Sequence, residues 1–173
     1  MIIFDLETTG LLAPSCSPLE KQPKIIEIGA YNVTNEDSIS QLINPNEKLV
    51  PKITKITGIK DEELLGKPTF KDFLPTLAAF FQGSKTVIAH NAPFDCGVLR
   101  VELERCGDLD FPWPKRTVCT VQEYRAKFGY RPKLGQLYKK LTGEKLNQTH
   151  RAIEDVMALY EALKQDKFFE VIR

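Results

Sequence analysis

Two carboxylates in the first strand-like stretch pose the chemical question. In "FDLETTG", Asp5 and Glu7 interrupt a run made of Ile2, Ile3, Phe4 and Leu6, although acids are poor strand formers and costly to bury. Side chains alternate faces along a strand, so Ile3, Asp5 and Glu7 point one way and Ile2, Phe4 and Leu6 the other. The two carboxylates then stand roughly 7 Å apart on one face. Like charges so placed repel unless a cation neutralises them. A second face that is simply wet would also hold them, but "TTG" ends the strand in a tight turn, where ligand sites often gather.

Two more acids occupy positions of interest. Asp95 falls in the first turn of the helix expected after "HNAPF", where an acid favours the helix dipole. The same position is a strand-to-helix edge of the kind where α/β proteins build sites. Asp155 borders the apolar stripe Ala152, Val156, Leu159 and Leu163 of the last helix, and an acid at the edge of a packed seam is expensive without a partner. His150, five residues earlier, is about 140° away round a helix. It is expected at the helix mouth or in the preceding loop, free to reach a site. Four acids on separate elements can converge on two divalent cations about 4 Å apart, with a histidine beside them as base. All-oxygen ligands favour Mg²⁺ or Mn²⁺ over zinc, and with only His90 and His150 in the chain an imidazole zinc site is not expected.

The elements that must position these groups follow from periodicity. A first strand covers 1–7, a loop rich in Pro and Ser follows, and "KIIEIGAYNV" and "SISQLINP" read as two strands joined by a turn at "TNED". The spacing of Phe70, Phe73, Leu74 and Leu77 predicts a helix over 70–81, with Pro75 as a point where it could break. "KTVIAH" reads as a short buried strand and "APFDCGVLRVELERCG" as a helix opened by Pro93 and closed by Gly107. A loop, "GDLDFPWPKR", leads to helical segments at 118–128 and 134–142, and a last helix spans 150–165. This order implies an α/β layer fold with a mixed sheet, begun by antiparallel strands. No Gly-rich phosphate loop is present.

The 173 residues suit one domain, with 42% hydrophobic and 27% charged residues supporting a real core. Met1 leads straight into the first apolar run and no long uncharged apolar stretch follows, so the expectation is a cytoplasmic protein without a membrane partner. Cys16, Cys96, Cys106 and Cys119 form no CxxC pair and read as reduced thiols. Charge is unevenly spread. Ten basic residues between Lys115 and Arg151 face only Glu123 and Glu144, so that window carries +8 and the rest of this +1 chain carries −7. Tyr124, Phe128, Tyr130 and Tyr138 lie in the same window, and basic residues interleaved with aromatics suit a nucleic-acid strand. Solvated helix faces would give the same composition.

Taken in order, "FDLETTG", "HNAPFD" and "HRAIED" resemble the three motifs of the DnaQ-like (DEDDh) 3′–5′ exonucleases, a family that includes the proofreading subunits and domains of bacterial replicative polymerases. "IIEIGA", "ITGIKDEELLGKPTF" and "LGQLYKKLTGEKL" are similar to members of the family too. The resemblance implies a ribonuclease-H-like fold, a mixed five-stranded sheet flanked by helices, with residues 1–173 as a single exonuclease domain. It implies that Asp5, Glu7, Asp95 and Asp155 ligate two Mg²⁺ or Mn²⁺ ions and that His150 is the general base, with His90 as the rival. It places Thr8, Leu11, Asn91 and Phe94 against the 3′-terminal nucleotide. It also implies a single-stranded nucleic acid as substrate (DNA preferred, RNA as the alternative), nucleoside 5′-monophosphates as products, and a DNA polymerase as partner. A non-catalytic binding module on the same fold is the reading from another class. One departure stands out: many members carry a histidine where this chain has Thr57.

Overall fold

The computed structural model describes residues 1–108 and 110–171. Leu109, within the expected "GDLDFPWPKR" loop, and the last two positions lie outside them. In chain order the elements are β1 (Ile2–Thr8), β2 (Ile25–Asn32), β3 (Ser38–Leu42), α1 (Pro51–Thr57), α2 (Asp61–Leu64), α3 (Phe70–Phe81), β4 (Thr86–Ala89), α4 (Ala92–Cys106), β5 (Arg116–Cys119), α5 (Thr120–Phe128), α6 (Leu134–Thr142), α7 (Ala152–Gln165) and α8 (Phe168–Val171). The strands form one sheet in the order β3-β2-β1-β4-β5. β1 runs antiparallel to β2 and parallel to β4, β2 runs antiparallel to β3, and β4 runs parallel to β5. This is the mixed five-stranded sheet flanked by helices.

Strand alternation sorts the core into two layers. Ile2, Phe4 and Leu6 of β1 pack with Leu74, Leu77 and Phe81 of α3 and with Val98, Leu99 and Leu103 of α4. Ile3, on the opposite face, packs with Ile88 and Val118, with Tyr124 of α5, with Leu134 and Leu137 of α6 and with Val156, Leu159 and Leu163 of α7. Asp5 and Glu7 therefore project on the α7 side, at the end of β1 that the turn closes.

Several boundaries differ from the sequence expectation. β5 runs from the last residue of the expected loop into the first two residues of the segment read as helix from 118: it has four residues, only Val118 and Cys119 of them buried, too few for a period of two to register. The short helices α1 and α2 carry too little periodicity to be seen. α3 runs unbroken through Pro75. α7 starts at Ala152, two residues later than expected, because His150 holds a φ of 55° that no helix accommodates. No helix among the described residues is long and apolar enough to cross a membrane.

Candidate active site

Each candidate acid is placed by a different piece of backbone. Asp5 and Glu7 ride on β1, the middle strand. Asp95 sits in the first turn of α4, buried, and its Oδ1 accepts a hydrogen bond from the Leu6 N–H at 3.3 Å. That bond ties α4 to the backbone between Asp5 and Glu7. Asp155 lies in the first turn of α7, buried, with Oδ2 accepting from Gln148 Nε2 at 2.8 Å. Carboxylate oxygens of Glu7 and Asp155 and a ring nitrogen of His150 all lie within 4.8 Å of one another.

How α7 reaches β1 depends on two residues of β2 that the sequence reading left without a role. Gly29 faces Asp5 across the β1–β2 ladder. A Cβ at Gly29 would fall 2.3 Å from the Ala152 carbonyl carbon, so only glycine lets the start of α7 lie on the sheet. Glu27 faces Glu7 in the same ladder and is almost wholly buried. It takes Arg151 Nε at 3.1 Å and Arg151 Nη2 at 2.8 Å, and it caps α7 by accepting the Ala152 N–H at 3.0 Å. Glu27 thus anchors the helix that carries Asp155. Its signal in the sequence is the one that exposed Glu7: an acid interrupting an apolar strand, here "IIEIGA".

The electrostatics of the cluster follow from this packing. Burial, reinforced by Asp95, Asp155, Glu7 and Glu27, pushes the Asp5 carboxyl well above the usual carboxylate range. Burial together with Asp155, Glu27 and Asp95 raises Glu7 to about 8, against a partial offset from Arg151. Burial raises Asp95 to about 8, opposed by its backbone hydrogen bonds. Asp155 is raised by burial too, opposed by Gln148 and His150. Arg151, the cation that opposes Glu7, is already engaged by Glu27. Four oxygen-donor side chains that repel one another, beside an arginine committed elsewhere, make a donor set that fits hard divalent cations such as Mg²⁺ or Mn²⁺.

The two histidines part company. His90 Nε2 donates to the Pro132 carbonyl at 3.1 Å and Nδ1 meets Thr120 Oγ1 at 3.0 Å. Burial lowers its pKa to about 4. Both ring nitrogens are engaged in hydrogen bonds to neighbouring elements. His150 lies outside α7, as expected, with its ring beside Glu7 and Asp155. Its left-handed backbone is strained for a residue other than glycine. Thr149 Oγ1, one residue earlier, hydrogen-bonds Glu154 Oε2 and so ties the loop to the first turn of α7.

The remaining candidates spread around the rim. Thr8 is buried and its hydroxyl donates to the Gly10 carbonyl at 2.7 Å, closing the turn. Leu11, just beyond, is 83% exposed. Asn91 takes a left-handed conformation (φ 80°) immediately before α4, and half-buried Phe94 packs on the α3–α4 side of the core. Thr57 is buried, donating to the Ile53 carbonyl at 3.0 Å and accepting the Ile59 N–H at 3.1 Å. Its hydroxyl closes the end of α1. In the basic window, Tyr124 is a core residue bonded to Asp166 at 2.6 Å and Tyr138 is bonded to Glu161 at 2.9 Å. Of that window's four aromatics, Tyr130 alone ranks among the exposed large side chains.

Comparison with known proteins adds to this geometry. A protein-family model described as exonuclease matches residues 2–163. The chain is 33% identical over 166 residues to the PolC-type DNA polymerase III of Clostridium perfringens, a match that covers 94% of this chain and 11% of that protein. It is 33% identical over 167 residues to the DNA polymerase III subunit epsilon of Treponema pallidum, covering 91% of this chain and 72% of that one. The chain therefore spans about a tenth of the PolC-type relative and nearly three quarters of the epsilon subunit. Among solved structures, the nuclease domain of 3′hExo, a DEDDh family member bound to rAMP, superposes with a TM-score of 0.74 at 19% identity, covering 95% of this chain and 91% of the other. At that identity the likeness is one of fold.

Proposed function

Because the chain belongs to the DnaQ-like (DEDDh) exonuclease family, we propose that it hydrolyses the terminal phosphodiester bond at the 3′ end of a single-stranded nucleic acid, DNA by preference, releasing nucleoside 5′-monophosphates. The observation that carries this reading is the convergence of Asp5, Glu7, Asp95 and Asp155 from β1, α4 and α7, with Arg151 held by Glu27 and His150 against Glu7 and Asp155. In this reading the four acids hold two divalent cations, Mg²⁺ or Mn²⁺, which when bound activate water and neutralise charge on the phosphate.

The chain's own residues have separable tasks. Asp5, at the centre of the mutually repelling set, faces every other acid of the cluster. His150 accepts the proton of the attacking water, and the neighbouring Glu7 and Asp155 carboxylates stabilise the imidazolium that results. Gln148 orients the Asp155 carboxylate. The turn built by Thr8, together with Leu11, Asn91 and Phe94, receives the terminal nucleotide. Residues 1–173 act as one exonuclease domain, and the similarity to polymerase III subunits supports a proofreading role beside a replicative polymerase in the cytoplasm.

The test is digestion of 5′-end-labelled single-stranded oligonucleotides with Mn²⁺, with EDTA as control and DNA and RNA run side by side. Stepwise shortening from the 3′ end, faster on DNA and abolished by EDTA, is expected. Faster shortening of RNA would overturn the DNA preference, and no shortening of either would overturn the enzymatic reading.

A further inference from the structure

The acid cluster creates a difficulty for the substrate it is meant to receive. A nucleic-acid strand carries one charge per phosphate, and only its last phosphodiester gains from cations at the cluster. The upstream phosphates need a positive lane leading to it.

One cavity, linked through Arg131 to the residue that precedes α4, supplies such a lane. A groove of about 480 Å³ is lined by Gln122 and Arg125 of α5 and by Gly129 and Arg131 of the turn that follows. Both arginines are exposed, and neither forms an ion pair among the described residues, in contrast to Lys127, which pairs with Asp166. Tyr130, between Gly129 and Arg131 in the chain, is 43% exposed, with its ring beside that of Phe128.

The groove is joined to the cluster by specific bonds. Arg131 Nη2 donates to Asn91 Oδ1 at 3.4 Å, and the next carbonyl, that of Pro132, accepts from His90 Nε2 at 3.1 Å. His90 and Asn91 immediately precede α4, and Asp95 follows in its first turn, about 6 Å further along the helix at 1.5 Å per residue. The half-buried, doubly bonded His90 thus fastens the groove wall to the helix that carries a cluster acid.

We propose that Arg125 and Arg131 form a phosphate-binding groove for the substrate strand upstream of the scissile bond, with Tyr130 as a stacking platform and His90 as the residue positioning the groove. This rests on the reading of the chain as a nuclease. Arginine suits the task because its guanidinium grips phosphate in bidentate fashion. The groove reads backbone charge and not base identity, so it accepts any sequence.

Arg125→Ala, Arg131→Ala and the double variant test it, and because both side chains are exposed the fold is not at stake. Binding of a fluorescent single-stranded 12-mer in EDTA, followed by anisotropy, should weaken about tenfold per arginine. The slope of log Kd against log salt should fall by about 0.7 for each phosphate that an arginine no longer neutralises. The p-nitrophenyl ester of a thymidine 5′-phosphate has no upstream phosphate, so kcat/KM on the 12-mer should drop well beyond any loss on the ester in all three variants. Unchanged Kd and salt slope in the double variant would sink the groove, as would parallel losses on the ester and the 12-mer. If the wild type cleaves neither substrate, the nuclease reading fails, and the anisotropy arm still decides whether the groove binds a strand.

Discussion

Glu7 and Glu27 stand opposite one another in the β1–β2 ladder, share a residue type, and meet opposite surroundings. Glu27 is saturated: the Arg151 guanidinium grips it, and it caps α7 by accepting the helix's first N–H. Glu7 has Asp155, Glu27 and Asp95 as its electrostatic neighbours, and Arg151, the cation that opposes it, is already engaged by Glu27. A buried acid with its donors in place builds structure, and a half-buried acid deprived of them is held ready for a cation supplied from outside. The comparison separates the scaffold from the chemistry within a single pair of strands.

Exchanging each acid for a neutral residue should make that separation visible, with the largest effect expected at Glu7. Glu7→Gln should lower 3′-end cleavage by about a thousandfold, while thermal stability in EDTA stays level or rises because a like charge leaves the cluster. Glu27→Met should do the reverse at first sight. Arg151 and the Ala152 N–H lose their partner and the fold loses about 3 kcal/mol in denaturant melts, with activity falling in step as α7 loosens. If Glu27→Met kept its stability, or if Glu7→Gln were the one to melt early, the division of labour would be wrong.

The two histidines extend the same contrast at a smaller scale. His150→Gln should cost about a hundredfold in kcat with little change in melting temperature. His90→Gln should act through stability and strand binding, since its ring bridges Thr120 and Pro132. Strand binding in EDTA distinguishes them: it should be unchanged in His150→Gln and weakened in His90→Gln.

Much of this was legible in the residues. Period-two alternation alone places Asp5 and Glu7 on one face, and the ordered motifs bring in Asp95, His150 and Asp155. The failures have a common physical origin. β5 spans four residues, half of them exposed, so its pairing with β4 comes from tertiary packing and not from pattern. Glu27 lay in plain view as an acid within an apolar strand, yet its partner Arg151 is 124 residues away, and nothing local announces the pair. Gly29 is needed only because α7 crosses at 2.3 Å from a would-be Cβ, a distance with no trace in β2 itself. The reading of Tyr124 as a candidate stacking residue failed for the same reason, since its burial is imposed by α8 and Asp166.

The subtlest consequence of an unpaired Glu7 is a pH dependence of stability. Burial and its acidic neighbours raise Glu7 from the ordinary 4.5 to about 8, and burial raises Asp95 from 3.8 to about 8. Below the ordinary values both folded and unfolded chains hold these protons, and the folded state bears no penalty. As pH climbs toward 8 the unfolded chain has released protons that the folded chain still binds, so stability declines with pH through this window. In EDTA, wild-type melting temperature should therefore fall between pH 5 and pH 8.5 by a few degrees more than that of Glu7→Gln, given about 2–4 °C per kcal/mol for a chain of this size. Adding Mg²⁺ should flatten the wild-type curve, because the cation takes the place of the protons and binds more tightly as pH rises. Glu27→Gln should make the pH slope in EDTA shallower than that of the wild type, because it removes one of the charges that raise Glu7 and frees Arg151 to oppose it. Parallel melting curves for wild type and Glu7→Gln across the whole range would mean that Glu7 is neutralised by the protein after all, and the contrast with Glu27 would collapse.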